Sequence, residues 1–200
     1  MAFDIHHEDR LVLRQRFTPM VNRYEFMVPE DGEERPVCFV EQKRFKLKED
    51  IRFFADDTKE VEVMRIKARQ RFDPRARYDV TDENGGKIGE IQKLFRQSLL
   101  RSTYAIYDAG GQEVARATEA NLLTALLRRV TDFIPYVGEF LPIPYDFHFL
   151  SGESVIGVNR RRRMQLRDVY DIDMSADTER VLDRRLVLAI TVGMDALQAR

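Results

Sequence analysis

The sequence predicts an all-β protein with a central helix: a closed antiparallel barrel with one apolar C-terminal helix threaded through its middle. Two observations predict it. One hairpin design occurs three times along the chain, and the last segment reads as a helix that is apolar on nearly every face.

The hairpin design is clearest at Tyr78-Asp79-Val80, which runs through Gly85-Gly86 to Ile88-Gly89. Tyr104-Ala105-Ile106 repeats it through Gly110-Gly111 to Val114-Ala115, and Phe147-His148-Phe149 repeats it more briefly through Gly152 to Ile156-Gly157. Each copy is an aromatic and aliphatic strand, a glycine turn and a returning strand. Glycine supplies the positive φ that tight hairpin turns require. The spacing is irregular, which excludes a solenoid.

The remaining elements follow in order. Residues 1–20 form an N-terminal extension in which Leu11 to Pro19 is ambiguous, and the domain proper is 21–200. Asn22 to Pro29 alternates and reads as a strand, Asp31 to Glu34 as a turn, and Pro36 to Gln42 as the partner strand. Short strands follow at Phe45–Leu47 and Ile51–Ala55. In the long run Glu60 to Arg69 the alternation slips at Met64-Arg65-Ile66, which predicts a bulge. An apolar insertion at 120–144 breaks the pattern. Asn121 to Thr131 has a leucine stripe at helical spacing, and three prolines between Phe133 and Tyr145 forbid its continuation. The central helix is expected over 177–198, capped by Ser175 or Asp177. An all-round apolar helix is either buried on all sides or in a membrane. Asp183, Arg184, Arg185 and Asp195 make spanning costly, so burial inside the sheet is the reading taken.

Composition excludes several classes. The chain has 200 residues, 44% of them apolar and 34% charged, with a formal net charge of −1. That length suits one domain, and a near-neutral balance gives no reason to expect nucleic-acid binding. One cysteine, Cys38, cannot form an internal disulfide, so an intracellular chain is expected. The start, Met1 to Asp9, has neither a basic nor an apolar signal region. The longest apolar run, Leu186 to Met194, falls short of the roughly 20 residues that span a bilayer. The expected location is cytoplasmic, with peripheral membrane association open.

Five stretches carry a family resemblance: FVEQKRFKLKEDIRFFADD (39–57), YDVTDENGGKIGEIQK (78–93), RSTYAIYDAGGQEVARATE (101–119), PYDFHF (144–149) and the terminal helix DRRLVLAITVGMDAL. In their order they resemble the LURP-one-related proteins, which belong with the phospholipid scramblases and the Tubby C-terminal domain. The resemblance covers roughly Tyr24 to Leu197. It implies a barrel of about twelve strands around the helix, and no enzyme activity. Tubby-like relatives bind phosphoinositides through a basic surface, and scramblases are associated with calcium-dependent lipid movement.

Three groups of residues are candidates for binding. The first is the run Arg160, Arg161, Arg162 and Arg163, with Arg167 nearby and Lys43, Arg44, Lys46 and Lys48 if they lie close. Guanidinium pairs bidentately with phosphate, so these could hold an anionic phospholipid or phosphoinositide headgroup. The competing readings are a solvated edge strand or pairing with nearby acids. The second is the insertion, with Leu123, Leu126, Leu127, Phe133, Tyr136, Phe140 and Leu141 as a membrane or partner contact; the alternative is a plug for the barrel end. The third is Asp171, Asp173, Ser175, Asp177 and Glu179, at the alternating spacing of a calcium loop. Ala176 and Leu182, however, stand where such a loop wants glycine and a bidentate glutamate. The competing reading is a strand with an acidic outer face leading into a helix start.

No catalytic constellation is present in the sequence. His6 and His7 are adjacent, His148 stands alone, and no Ser or Cys sits beside an evident base. The glycine pairs lack the helix start and lysine of a phosphate loop. The function expected is a non-enzymatic binding module directed to anionic lipid surfaces. A protein-interaction or oligomerising scaffold is the alternative, and calcium-linked lipid movement comes third. No cofactor is expected beyond the calcium option.

Overall fold

The computed structural model describes residues 4–17, 21–43, 50–69, 77–94, 102–120, 146–162 and 169–198. Twelve strands are formed: β1 (Arg10–Phe17), β2 (Val21–Glu30), β3 (Glu33–Lys43), β4 (Asp50–Phe54), β5 (Glu62–Ala68), β6 (Arg77–Asp82), β7 (Lys87–Lys93), β8 (Thr103–Asp108), β9 (Glu113–Glu119), β10 (Phe147–Ser151), β11 (Ser154–Arg161) and β12 (Val169–Asp173). A helix, α1 (Arg184–Gln198), follows them. Every strand pairs antiparallel with its sequence neighbours, and β1 pairs with β12 to close the barrel. Closure leaves no sheet edge exposed.

The closing strand corrects one expectation. Residues 10–17, assigned to an extension, are β1, and Leu11 and Leu13 are buried in the core. The consecutive apolar residues Leu11-Val12-Leu13 hide the alternation that would have marked the strand.

Five hairpins share one construction: β2–β3, β4–β5, β6–β7, β8–β9 and β10–β11. In each, the register shifts by one residue, and the extra residue lies on the returning strand. These residues are Val37, Val63, Ile88, Val114 and Ile156. A bulge bends the strand and increases its twist, which curves a sheet toward closure. Here the bulge is always β-branched, and at Val63 and Met64 it buries two successive side chains. The slip expected at Met64-Arg65-Ile66 therefore sits one residue earlier. Asp31 (φ 50°) and Gly32 (φ 88°) form a two-residue turn of the primed type, and Gly85, Gly111 and Gly152 take positive φ in the three hairpins first recognised.

The inner face holds Tyr24, Phe26, Phe53, Ile66, Val80, Ile106, Phe147 and Phe149 around α1, whose residues from Leu186 through Met194 are all buried. The helix passes close to β7. A Cβ added at Gly89 would lie 2.9 Å from Leu186 Cδ1 and would overlap the Tyr107 carbonyl oxygen. Glycine at 89 is what lets strand and helix approach this closely.

The outer face explains the high charge content. Arg16 pairs with Glu25, Arg14 with Glu34, Lys59 with Glu41 and Arg69 with Asp79. Exposed pairs of this kind contribute little each. Glu90 is different, because it is buried on the outer face among Arg69, Arg77 and Lys87. Burial by itself would raise its carboxyl, but the hydrogen bonds and charges of Lys87 and Arg69 outweigh that and hold it below the usual range. A depressed carboxyl stabilises the fold above its unfolded value, about 4.3, and that contribution fades as pH falls through the folded value. Urea midpoints should therefore drop below pH of about 4, and Glu90→Gln should shallow that drop; an identical pH profile for the variant would contradict the assignment.

The helix starts later than its expected boundary of 177. Asp183 caps it, its Oδ1 accepting the Arg185 amide at 2.8 Å. Arg180 has φ 51°, a left-handed conformation that a helix cannot contain. Asp177 instead accepts the amides of Val181 and Leu182 at 2.9 and 3.1 Å.

Candidate functional site

Strand direction gives the barrel two unlike ends. All five hairpin turns lie at one end, together with the N-terminal segment and the 174–183 segment that leads into α1. The other end receives the six remaining connections: β1–β2, β3–β4, β5–β6, β7–β8, β9–β10 and β11–β12. The sequence segments that join the strands at the two ends differ in the sign of their charge. The hairpin-end segments (4–9, 31–32, 55–61, 83–86, 109–112, 152–153 and 174–183) carry twelve Asp and Glu against two Lys and Arg. The six connections at the opposite end carry thirteen Lys and Arg against six Asp and Glu.

The strands that bracket the candidate basic residues end at the second end. β3 leaves the barrel there at Lys43 and β4 re-enters at Asp50, while β11 leaves at Arg161 and β12 re-enters at Val169. Arg160 and Arg161 are exposed. The Arg161 amide donates to Asp146 Oδ1 at 3.2 Å. Arg162 is turned to a protein partner, gripping Asp171 with Nε at 2.9 and 3.0 Å and with Nη2 at 2.6 Å. That pairing, weighed in the sequence reading, raises the Arg162 guanidinium through the Asp171 hydrogen bond. Arg44, Lys46, Lys48, Arg163 and Arg167 lie outside the described residues, as do Leu123, Leu126, Leu127, Phe133, Tyr136, Phe140 and Leu141. The apolar insertion nevertheless departs from Glu119 and returns at Phe147, at the same end.

The acidic series is spread over several jobs. Asp171 holds Arg162. Asp173 accepts the Ser175 amide at 2.9 Å and its hydroxyl at 2.6 Å, which lowers the Asp173 carboxyl. Asp177 is buried and bound to Arg184 at 2.6 Å. Glu179 is exposed. Among the described residues no three acidic, His or Cys side chains gather as a metal site.

Two features escaped the sequence reading. The first is Arg184, only 1% exposed. Its Nε donates to the Glu8 carbonyl at 3.1 Å, Nη1 to Asp177 Oδ2 at 2.6 Å and the Leu182 carbonyl at 2.9 Å, and Nη2 to Asp9 Oδ1 at 3.0 Å and the Met174 carbonyl at 3.5 Å. All five donors are used. The second is an inward polar band near the end opposite the hairpins: Gln15, Asn22, Gln42, Glu119 and Asn159, all buried. Asn22 Nδ2 donates to Gln42 Oε1 at 3.1 Å, and the Ser102 amide donates to Glu119 Oε2 at 3.3 Å. Each stands in phase with the apolar inward residues of its strand, so the signal was a polar residue at a core position near a strand end.

Reactive groups are subdued. Burial pushes the Cys38 thiol well up, so it stays protonated at neutral pH. His6 lies 3.8 Å from Asp183, and His148 is half-buried. Among the described residues no helix is long and apolar enough to cross a membrane.

A closed barrel of twelve antiparallel strands with a terminal helix is the architecture that the family resemblance implies. The family model for LURP-one-related proteins matches residues 37–195. The chain belongs to the LURP-one-related family. No curated protein matches the chain. In this LURP-one-related protein the matched span begins within β3, yet β1 and β2, which precede it, complete the barrel. Family membership brings the fold; a fold by itself does not assign a ligand.

Proposed function

We propose that this LURP-one-related protein is a non-enzymatic binding module that sets the end opposite its hairpins against an anionic lipid surface. The observation that carries the reading is the polarity of the chain. Basic residues outnumber acidic ones about two to one in the connections at that end, whereas acids dominate the hairpin end. Near an anionic leaflet each Lys or Arg contributes about 1 kcal/mol, so several on one rim give useful affinity. The apolar insertion leaves from the same rim and supplies area for burial at the interface. The acidic hairpin end is repelled by the same surface, which fixes the orientation.

The test is co-sedimentation with neutral and anionic vesicles, each with and without calcium, across a salt series. Binding to anionic vesicles only, weakening with salt, is expected. Arg161→Glu with Arg163→Glu should bring binding down to the neutral-vesicle level; unchanged binding would remove these residues from the surface. A calcium requirement would bring the acidic series back into the account. Absence of binding under every condition, with concentration-dependent dimers in sedimentation, would favour the scaffold reading.

A further inference from the structure

The helix and its barrel are joined unevenly. Among the described residues, the side-chain hydrogen bonds of Arg184 to Met194 end on residues 8–9, on residues 174–183 or on the helix itself. Arg184 supplies five of them, Arg185 returns to Asp183, and the Thr191 hydroxyl donates to the Val187 carbonyl at 2.8 Å. Among the described side chains of the helix, Leu186 to Ile190, Val192 and Met194 pack in the apolar core, and the polar ties to the rest of the chain gather where the helix begins.

Residues 4–9 lie across that beginning. Ile5 is 1% exposed and belongs to the core. The Asp9 carbonyl accepts the Met174 amide at 2.7 Å. Arg180 donates to the carbonyls of His6 and His7, and its Nη1 stands 3.3 Å from Asp9 Oδ1. Arg184 takes the Glu8 carbonyl and the Asp9 carboxylate. One further tie runs to the strands, from Arg35 to Glu8 at 3.2 Å, and it is exposed. The segment is thus bonded to the helix start and hardly to the barrel wall.

We propose that residues 4–9 are a strap that locks α1 in the barrel, and that strap and helix form a unit able to open before the strands part. Local opening of this kind follows contiguous cooperative units. The strap places control of the helix at the hairpin end, away from the surface proposed to meet lipid, so the inference does not depend on that reading.

Hydrogen exchange of the full chain and of a chain lacking residues 2–9 tests it. The expected result is α1 amides exchanging at least about tenfold faster without the strap, while amides of β5–β9 stay within about twofold. Ile5→Ser, which keeps the backbone bonds and loses the buried side chain, should show the same pattern more weakly. Unchanged α1 protection overturns the proposal. Equal loss in strands and helix, in the deletion and in Ile5→Ser alike, also overturns it, because the strap is then part of one indivisible unit.

Discussion

Replacing Arg184 with Ala is expected to lower the unfolding free energy by about 3–5 kcal/mol. Arg184 ties the N-terminal segment, the end of β12 and the helix start together, and both it and Asp177 are buried. Removing the guanidinium leaves the Asp177 carboxylate in the interior without its counter-ion, a mechanism known to give large losses. Asp9 matters less, being 42% exposed at its side chain, since water screens that pair. Arg184→Lys should also be costly, because one ammonium cannot reproduce five donors in a fixed fork. Adding Asp177→Asn to Arg184→Ala should recover part of the loss: the amide oxygen still accepts from one of the Val181 and Leu182 amides, and the buried charge is gone. Urea unfolding of the two single variants and the double variant measures this coupling; additive losses would show that the two groups do not act as a pair.

Gly89→Val is the second large effect expected, with a loss of about 1–3 kcal/mol or more from overpacking. The added side chain meets the Tyr107 carbonyl and both terminal methyls of Leu186, the latter at 2.9 and 3.0 Å from Cβ alone. A carbonyl fixed in a strand ladder cannot move aside, while a leucine can. Leu186→Ala in the Gly89→Val background should therefore restore only part of the loss. Thermal or urea unfolding decides it, and a neutral Gly89→Val would mean that α1 does not pack against β7 as described.

The hairpins were legible because their signal is local. A glycine at positive φ, flanked by alternating aromatic and aliphatic residues, specifies a turn wherever it falls. β1 was not legible, because Leu11-Val12-Leu13 shows no alternation and one of its two partner strands, at Val169 to Asp173, comes from the far end of the chain. The helix boundary was misplaced because Asp177 does cap backbone amides, as its sequence position suggested, but the chain then turns at Arg180. The bulges needed register: a β-branched residue before Gly, Ala, Met or Cys looks ordinary until its partner strand is known. The Arg184 cluster joins residues 175 positions apart to a helix start, a contact no local pattern encodes. For the candidate surface, the sequence supplied the arginines and the apolar insertion, while their departure from a single end follows only from strand direction.

The orientation on lipid is the claim most directly open to measurement. Hydrogen exchange with and without anionic vesicles should show protection confined to the connections opposite the hairpins, around residues 43–50, 120–146 and 161–169, with the turns at 31–32, 83–86, 109–112 and 152–153 unchanged. Protection at those hairpin turns, or at neither end despite saturating vesicles, would contradict the account.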